Sequence, residues 1–264
     1  GCRTQGAVNG CCKKDSVICM KAKQTAETLA LLGLWPVLLP QALYTHAVTP
    51  RLPEPDGARE GQCGDSAKPP LRLLIAGDSA AAGVGVAHQD QGLCGRLVNV
   101  LADDFHLTWQ LTAQSGYTTP DLLRRLHDIP AQTFDVAVLS MGANDVLARR
   151  RCTTWIAQQT ELIELLRSRF GVQHIVFSAV PPLHAFPALP QPLRWFLGLR
   201  AQNFNAALAN LLQTHPEHQL FQMQFVQRES VLASDGFHPG WGTYLYWGYE
   251  VAQRIKRWYS NSIN

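Results

Sequence analysis

Downstream of Pro70 the chain alternates between short apolar runs and longer stretches of helical period. No other feature of the sequence limits the fold as strongly. "LRLLIA" (Leu71–Ala76), "FDVAVLSMG" (Phe134–Gly142) and "VQHIVFSAV" (Val172–Val180) are apolar runs closed by glycine or proline, the profile of strands buried on both faces. "LTWQLTA" (Leu107–Ala113) alternates in strand fashion, and "QLFQMQFV" (Gln219–Val226) is the last predicted strand. Gln91–Asp104 carries Leu93, Leu97, Val100 and Leu101 at helical spacing. Leu122–Leu126 follows Pro120, a good first-turn residue, and Thr153–Phe170 is stopped by Gly171. Leu193–Leu212 and Thr243–Trp258 complete the helices. This order predicts an α/β sandwich of three layers, a five-stranded parallel sheet with helices on both faces. Ligands of such sheets sit at the carboxyl ends of the strands. Chemistry is therefore expected at Gly77–Gly85, Ser115–Thr118, Gly142–Asp145, Pro181–Trp195 and the loop around Asp235–His238.

The upstream part of the chain reads differently. Residues 1–19 show no hydrophobic period, and Met20 opens a basic and then apolar segment, so Met20 is expected as the native start and residues 1–19 as a non-native leader. From Thr28 to Pro50 there is no Asp, Glu, Lys or Arg. That is nearly the length of a bilayer span, interrupted by Pro36, Pro40 and His46. A signal peptide, an interfacial helix and a helix packed on the domain compete here. The lack of a small-x-small cleavage site favours the last two, with peripheral membrane contact through residues 28–48. Residues 50–70, rich in Pro, Gly and charge, read as a linker, leaving residues 71–264 as the main folded domain.

A chain of 264 residues with 46% hydrophobic content can bury one sizeable core. A net charge of +3 is too weak a bias for a nucleic-acid partner, and Arg149–Arg151 reads as a solvated helix start. The seven cysteines are odd in number and irregular in spacing, so neither a zinc site nor a disulfide framework is indicated. Cys94 and Cys152 read as small buried hydrophobes.

The tetrapeptide "GDSA" occurs twice, at Gly64–Ala67 and Gly77–Ala80. The first copy lies in the Pro/Gly stretch, with no strand predicted before it. The second ends a buried strand and opens a helix, where backbone N–H groups and the helix dipole favour a developing negative charge. Ser79 is thus the candidate nucleophile, against the plainer reading of a serine cap on a glycine-rich turn. "QSGYTT" offers Gly116, whose N–H can approach a substrate closely. "GAND" offers Asn144, a side-chain donor whose commoner use is a cap or Asx turn. Asp145 reads as a first-turn helix acid. In "SDGFHPG", Asp235 stands three residues before His238, a spacing that lets a carboxylate orient an imidazole.

Together the four blocks "IAGDSAAAG", "SGYTT", "MGAND" and "SDGFHPG" resemble the SGNH (GDSL-type) hydrolase family, in its order Ser, Gly, Asn, His, over about Leu71 to Arg257. The resemblance implies a flavodoxin-like fold. It implies Ser79 as nucleophile, His238 as base and then acid, and Asp235 as orienting carboxylate. The oxyanion hole would be the N–H groups of Ser79 and Gly116 with the side chain of Asn144. It implies acyl transfer to water through an acyl-serine, with no metal or organic cofactor. Ala80 and Ala81 stand where many relatives carry a bulkier residue, which bears on the floor of the acyl pocket. No G-x-S-x-G occurs, so the nucleophile elbow of α/β-hydrolases is not expected.

For the substrate, Phe186, Leu189 and Trp195, with Phe196, are candidates for an apolar acyl-binding wall, against ordinary loop packing. A small-molecule ester with a short to medium acyl chain is expected. A lysophospholipid, thioester or acetylated sugar remains as the alternative, and an anion-binding module without catalysis as a further one. His184 reads as surface. His215 and His218 form H-x-x-H without a third ligand nearby in sequence, and read as a solvated loop.

Overall fold

A computed structural model describes residues 5–223 and 232–263. The chain opens with helix α1 (Gln5–Val48), followed by strands β1 (Glu60–Cys63) and β2 (Pro70–Gly77) and helix α2 (Leu93–Leu101). Next come β3 (His106–Ala113), α3 (Thr119–Asp128), β4 (Val136–Ser140), a short α4 (Ala143–Leu147) and α5 (Cys152–Phe170). Then follow β5 (His174–Ser178), α6 (Leu193–Leu212), β6 (Gln219–Phe221) and α7 (Trp241–Ile263).

The sheet has six strands in the order β1-β3-β2-β4-β5-β6. β2 to β6 are parallel, as the alternation predicts, and their order is that of flavodoxin-like folds. Side chains alternate along each strand, so neighbouring positions feed different layers. Leu73, Ile75, Val136 and Val138 pack with α2 and α7 on one face. Leu74, Ala76, Ala137 and Leu139 pack with α3, α5 and α6 on the other. This gives the expected three layers.

One correction concerns the strand number. β1 pairs antiparallel with β3 at the sheet edge, Glu60 opposite Gln110 and Cys63 opposite Leu107. It comes from the stretch expected to act as a linker. Its sequence, "EGQC", carries no apolar alternation, because an edge strand pairs through backbone groups and can leave both faces polar. The predicted last strand, Gln219–Val226, is a strand over Gln219–Phe221, and its final three residues lie outside the described residues. Cys94 is buried as expected, whereas Cys63 and Cys152 are half-buried.

α1 runs unbroken through Pro36 and Pro40. The two prolines were expected to interrupt it, yet both side chains are exposed and point away from the domain. The opposite side rests on α6. Leu38 is buried, Ala30, Leu31 and Leu34 are partly so, and Gln41 bridges to the backbone of Gln191 and Leu193 at 2.6 and 3.0 Å. Glu27 pairs with the buried Arg200 and accepts from Asn203 at 3.1 Å.

Candidate active site

Ser79 sits directly beyond β2, Gly116 beyond β3 and Asn144 beyond β4, while His238 comes from the loop before α7. The parallel order places the first three ends side by side. The fourth loop meets them through close backbone approach. Gly85 has φ +108°, and a Cβ there would stand 2.3 Å from the carbonyl oxygen of Pro239. Only glycine lets the serine loop touch the histidine loop at that point. The histidine loop is closed internally by the Ala233 N–H donating to the His238 carbonyl at 2.8 Å and by a bridge between Leu232 and Pro239.

Asp235, His238 and Ser79 form a hydrogen-bonded line. The Asp235 side chain is fully buried, and its Oδ2 lies 2.5 Å from His238 Nδ1. Oδ1 accepts the N–H groups of Phe237 and His238, each at 3.0 Å. Burial opposes the ionisation of Asp235, but these bonds outweigh it and hold its carboxyl below the ordinary range. An ionised carboxylate accepts only, so Nδ1 carries the ring proton and Nε2 is left with its lone pair. Nε2 faces Ser79 Oγ at 3.0 Å, the distance at which the hydroxyl donates to it.

Donors surround the same serine. Among the described residues, neither the Ser79 nor the Gly116 N–H has an acceptor. Gly116 has φ +83° with open space where a Cβ would stand. Asn144 Nδ2 gives one proton to the Tyr117 carbonyl at 2.9 Å, which fixes the amide and leaves its second N–H. Asp78, next to the nucleophile, is buried, and burial pushes its carboxyl up to about 7 against the Ala80 N–H and the charge of His238.

Several positioning residues carry no sequence signal. Asp145, read as a first-turn acid, is fully buried; it accepts from Thr119 N and Oγ1 at 3.1 and 2.9 Å and from Arg150 Nε at 2.9 Å. Trp155 and Gln159 both donate to Thr119 Oγ1 at 3.1 Å. This network ties the asparagine turn to α3 and so to the Gly116 loop. Glu54 accepts the Ser115 N–H at 2.6 Å and pairs with Arg59 at 3.0 Å, bracing the same loop from the expected linker. Gln89 braces the serine loop through Ala82 O at 2.7 Å. These partners are 5 to 61 residues apart in the chain, and the bonds that join separate elements span 26 to 61, so no local pattern announces them.

Ser79, Asn144 and His238 lie between two cavities and line both. One, of about 400 Å³, runs inward past Ala80, Met141, Val180 and Phe186. The other, of about 800 Å³, opens beneath α1 past Leu31, Leu38, Leu189 and Phe196. Of the three candidates for an acyl wall, Phe186 lines the smaller cavity and Leu189 the larger. Trp195 lines neither: it is 48% exposed on α6, because the helical turn that buries Leu193 and Phe196 points it outward. His184 is exposed at the rim of the smaller cavity. A helix packed on the domain is among the expectations for this segment, but its sequence gives no hint of the strand ends it covers.

The remaining candidates stand apart. Ser66 is exposed in a turn after β1. A strand does precede it, contrary to expectation, but β1 runs antiparallel. Cys63 lies opposite Leu107 near the start of β3, so Ser66 is at the far edge of the sheet from Ser79. His215 and His218 do gain a third neighbour, Glu217. His218 is buried, contrary to the solvated-loop reading; its Nδ1 accepts the Ile175 N–H at 3.3 Å, and its Nε2 stands 3.6 Å from Glu217, beyond hydrogen-bond reach.

Comparison with known proteins agrees with this architecture. No curated protein gives a significant match. Among solved structures, the psychrotrophic esterase EstA from Pseudoalteromonas sp. is similar, with a TM-score of 0.54, 18% identity, and coverage of 72% of this chain and 99% of that one. The lipase/acylhydrolase from Enterococcus faecalis has a TM-score of 0.54 at 20% identity, covering 70% and 95%. A carbohydrate esterase family 2 enzyme from Corynascus thermopiles (Myceliophthora fergusii) has a TM-score of 0.60 at 16% identity, covering 74% and 68%. At such identities these likenesses speak to the fold. The family itself rests on a sequence model matched over residues 75–244, a span that holds Ser79, Gly116, Asn144, Asp235 and His238. The chain belongs to the GDSL-like lipase/acylhydrolase family.

Proposed function

We propose that this chain is a serine carboxylesterase that hydrolyses short- to medium-chain acyl esters through an acyl-enzyme on Ser79. The observation that carries the proposal is the position of His238, in hydrogen-bond reach of both Asp235 (2.5 Å) and Ser79 Oγ (3.0 Å). In the first step Ser79 Oγ attacks the ester carbonyl carbon and its proton passes to His238 Nε2. The carbonyl oxygen becomes an oxyanion held by the N–H groups of Ser79 and Gly116 and by Asn144 Nδ2. Collapse breaks the ester C–O bond, and the alcohol leaves with the proton from His238. Water then attacks the acyl-serine, gives a proton to His238, and the acid departs as Ser79 recovers its own.

The apolar lining of both cavities suits an aliphatic acyl chain better than a sugar ring. A carbohydrate acetylesterase is the second reading, because the family 2 carbohydrate esterase shares the fold. Lysophospholipids and thioesters present the same carbonyl chemistry. A fluorophosphonate probe tests the proposal, since it reacts only with an activated serine. Stoichiometric labelling at Ser79 is expected, and no labelling of the folded protein would leave only a binding module. A panel of p-nitrophenyl esters of increasing chain length, with an acetylated sugar alongside, then ranks the substrates.

Asn144→Ala is expected to lower kcat by about 100-fold or more with little change in KM, the mark of a donor used in the transition state. A loss below about 3-fold would remove Asn144 from the oxyanion hole.

A further inference from the structure

We infer that α1 seats the enzyme on a lipid surface and forms the mouth through which acyl chains pass from that surface to Ser79. This rests on the esterase reading above and adds where the substrate comes from. Three faces of α1 carry the inference. One face is tied to the domain: Glu27 pairs with Arg200, and Gln41 bonds the start of α6. A second face, Leu31, Trp35, Leu38, Leu39 and Ala42, lines the 800 Å³ cavity that reaches Ser79. The third is free. Leu29, Leu32, Pro36, Pro40 and Leu43 recur at spacings of three and four and so form one stripe, with Val37, Tyr44 and Val48 beside it. Leu29, Leu32, Leu43 and Tyr44 are each more than 60% exposed.

Water is a poor neighbour for such a stripe. A soluble surface helix turns charge outward, yet Thr28 to Pro50 holds no Asp, Glu, Lys or Arg. The segment Leu29–Val48 has the length and composition of a membrane span. Spanning is incompatible with the structure, because contacts at Glu27 and Gln41 hold the helix along the domain. A helix lying in the interface satisfies both facts. Charge favours a lipid surface over a second copy of the chain. Lys21 and Lys23 precede the apolar stretch and Arg51 ends it. Arg51 and Arg149 are exposed, line the cavity, and make no ion pair among the described residues. Cations at the mouth of an apolar cavity suit anionic headgroups.

The test is flotation of the full chain, carrying Ser79→Ala so that lipid is not consumed, with vesicles of phosphatidylcholine alone and with about 30% phosphatidylglycerol. Binding is expected, stronger with the anionic lipid. Leu32→Glu/Leu43→Glu changes two exposed positions that line neither cavity. In the Ser79→Ala background it is expected to weaken binding at least 10-fold. In the active enzyme it should leave p-nitrophenyl butyrate hydrolysis within 2-fold and slow hydrolysis of a long-chain ester embedded in vesicles at least 10-fold. Absent flotation, unchanged flotation of the double variant, or a dimer that the double variant splits would each overturn the inference. Soluble-ester hydrolysis without vesicle binding would sink this inference alone. Vesicle binding without labelling of Ser79 would sink the esterase reading.

Discussion

Ser79→Ala is expected to abolish turnover of p-nitrophenyl butyrate, with kcat falling by at least about 10⁴-fold, while thermal unfolding stays near that of the parent. The size follows from chemistry. Alanine leaves no oxygen to form the acyl-enzyme, and His238 keeps only a water molecule to activate. A 10⁴-fold loss corresponds to about 5.5 kcal/mol of transition-state stabilisation. The structural cost should be small, since the removed hydroxyl faces the cavities and its one described side-chain partner is His238 at 3.0 Å. The matched control is Ser66→Ala, in the other copy of the same tetrapeptide, expected to change activity by less than 2-fold. Comparable losses in both variants, or survival of activity in Ser79→Ala, would refute the assignment.

Asp235→Asn is expected to cost about 10³- to 10⁴-fold in kcat with the fold intact. Asn is nearly isosteric. With its Oδ1 toward the backbone it keeps both bonds from the Phe237 and His238 N–H groups. Its amide nitrogen then faces His238 Nδ1 and donates where the carboxylate accepted. The ring must place its own proton on Nε2, pointing at Ser79, and no base remains. The substitution also removes the negative charge that stabilises the imidazolium formed during attack. Steady-state kinetics together with a melting curve separate this from unfolding. A loss under about 10-fold would show that His238 works without an orienting carboxylate here.

Much of this architecture is legible in the sequence because it is written locally. β2, β4 and β5 are buried on both faces over most of their length, so "LRLLIA", "VAVLS" and "HIVFS" are mostly apolar. α6 starts and stops where its periodicity does, at Leu193 and Leu212. Asp235 and His238 are neighbours in the chain, and their bond is a property of one short loop. β1 is the contrary case: its pairing with β3 uses backbone groups that every residue has, so "EGQC" could not announce it. Trp195 shows the limit of reading by residue type. It looked like pocket wall, and one helical turn aims it at solvent.

By itself the sequence determined the layers, the parallel core of the sheet and the strand ends at which the reactive groups stand. These depend on hydrophobic period and turn residues, interactions that act within a few positions. The sequence already set Ser79 apart from Ser66 by the strand before it, and the tertiary structure brought Ser79 Oγ to His238, 159 residues away. It alone brought Glu54 to the Gly116 loop, buried Asp145 beneath the asparagine turn, and laid α1 over the mouth of the larger cavity. Those contacts arise from packing one element against another. Their partners are chosen by distance in space, which a one-dimensional pattern does not encode.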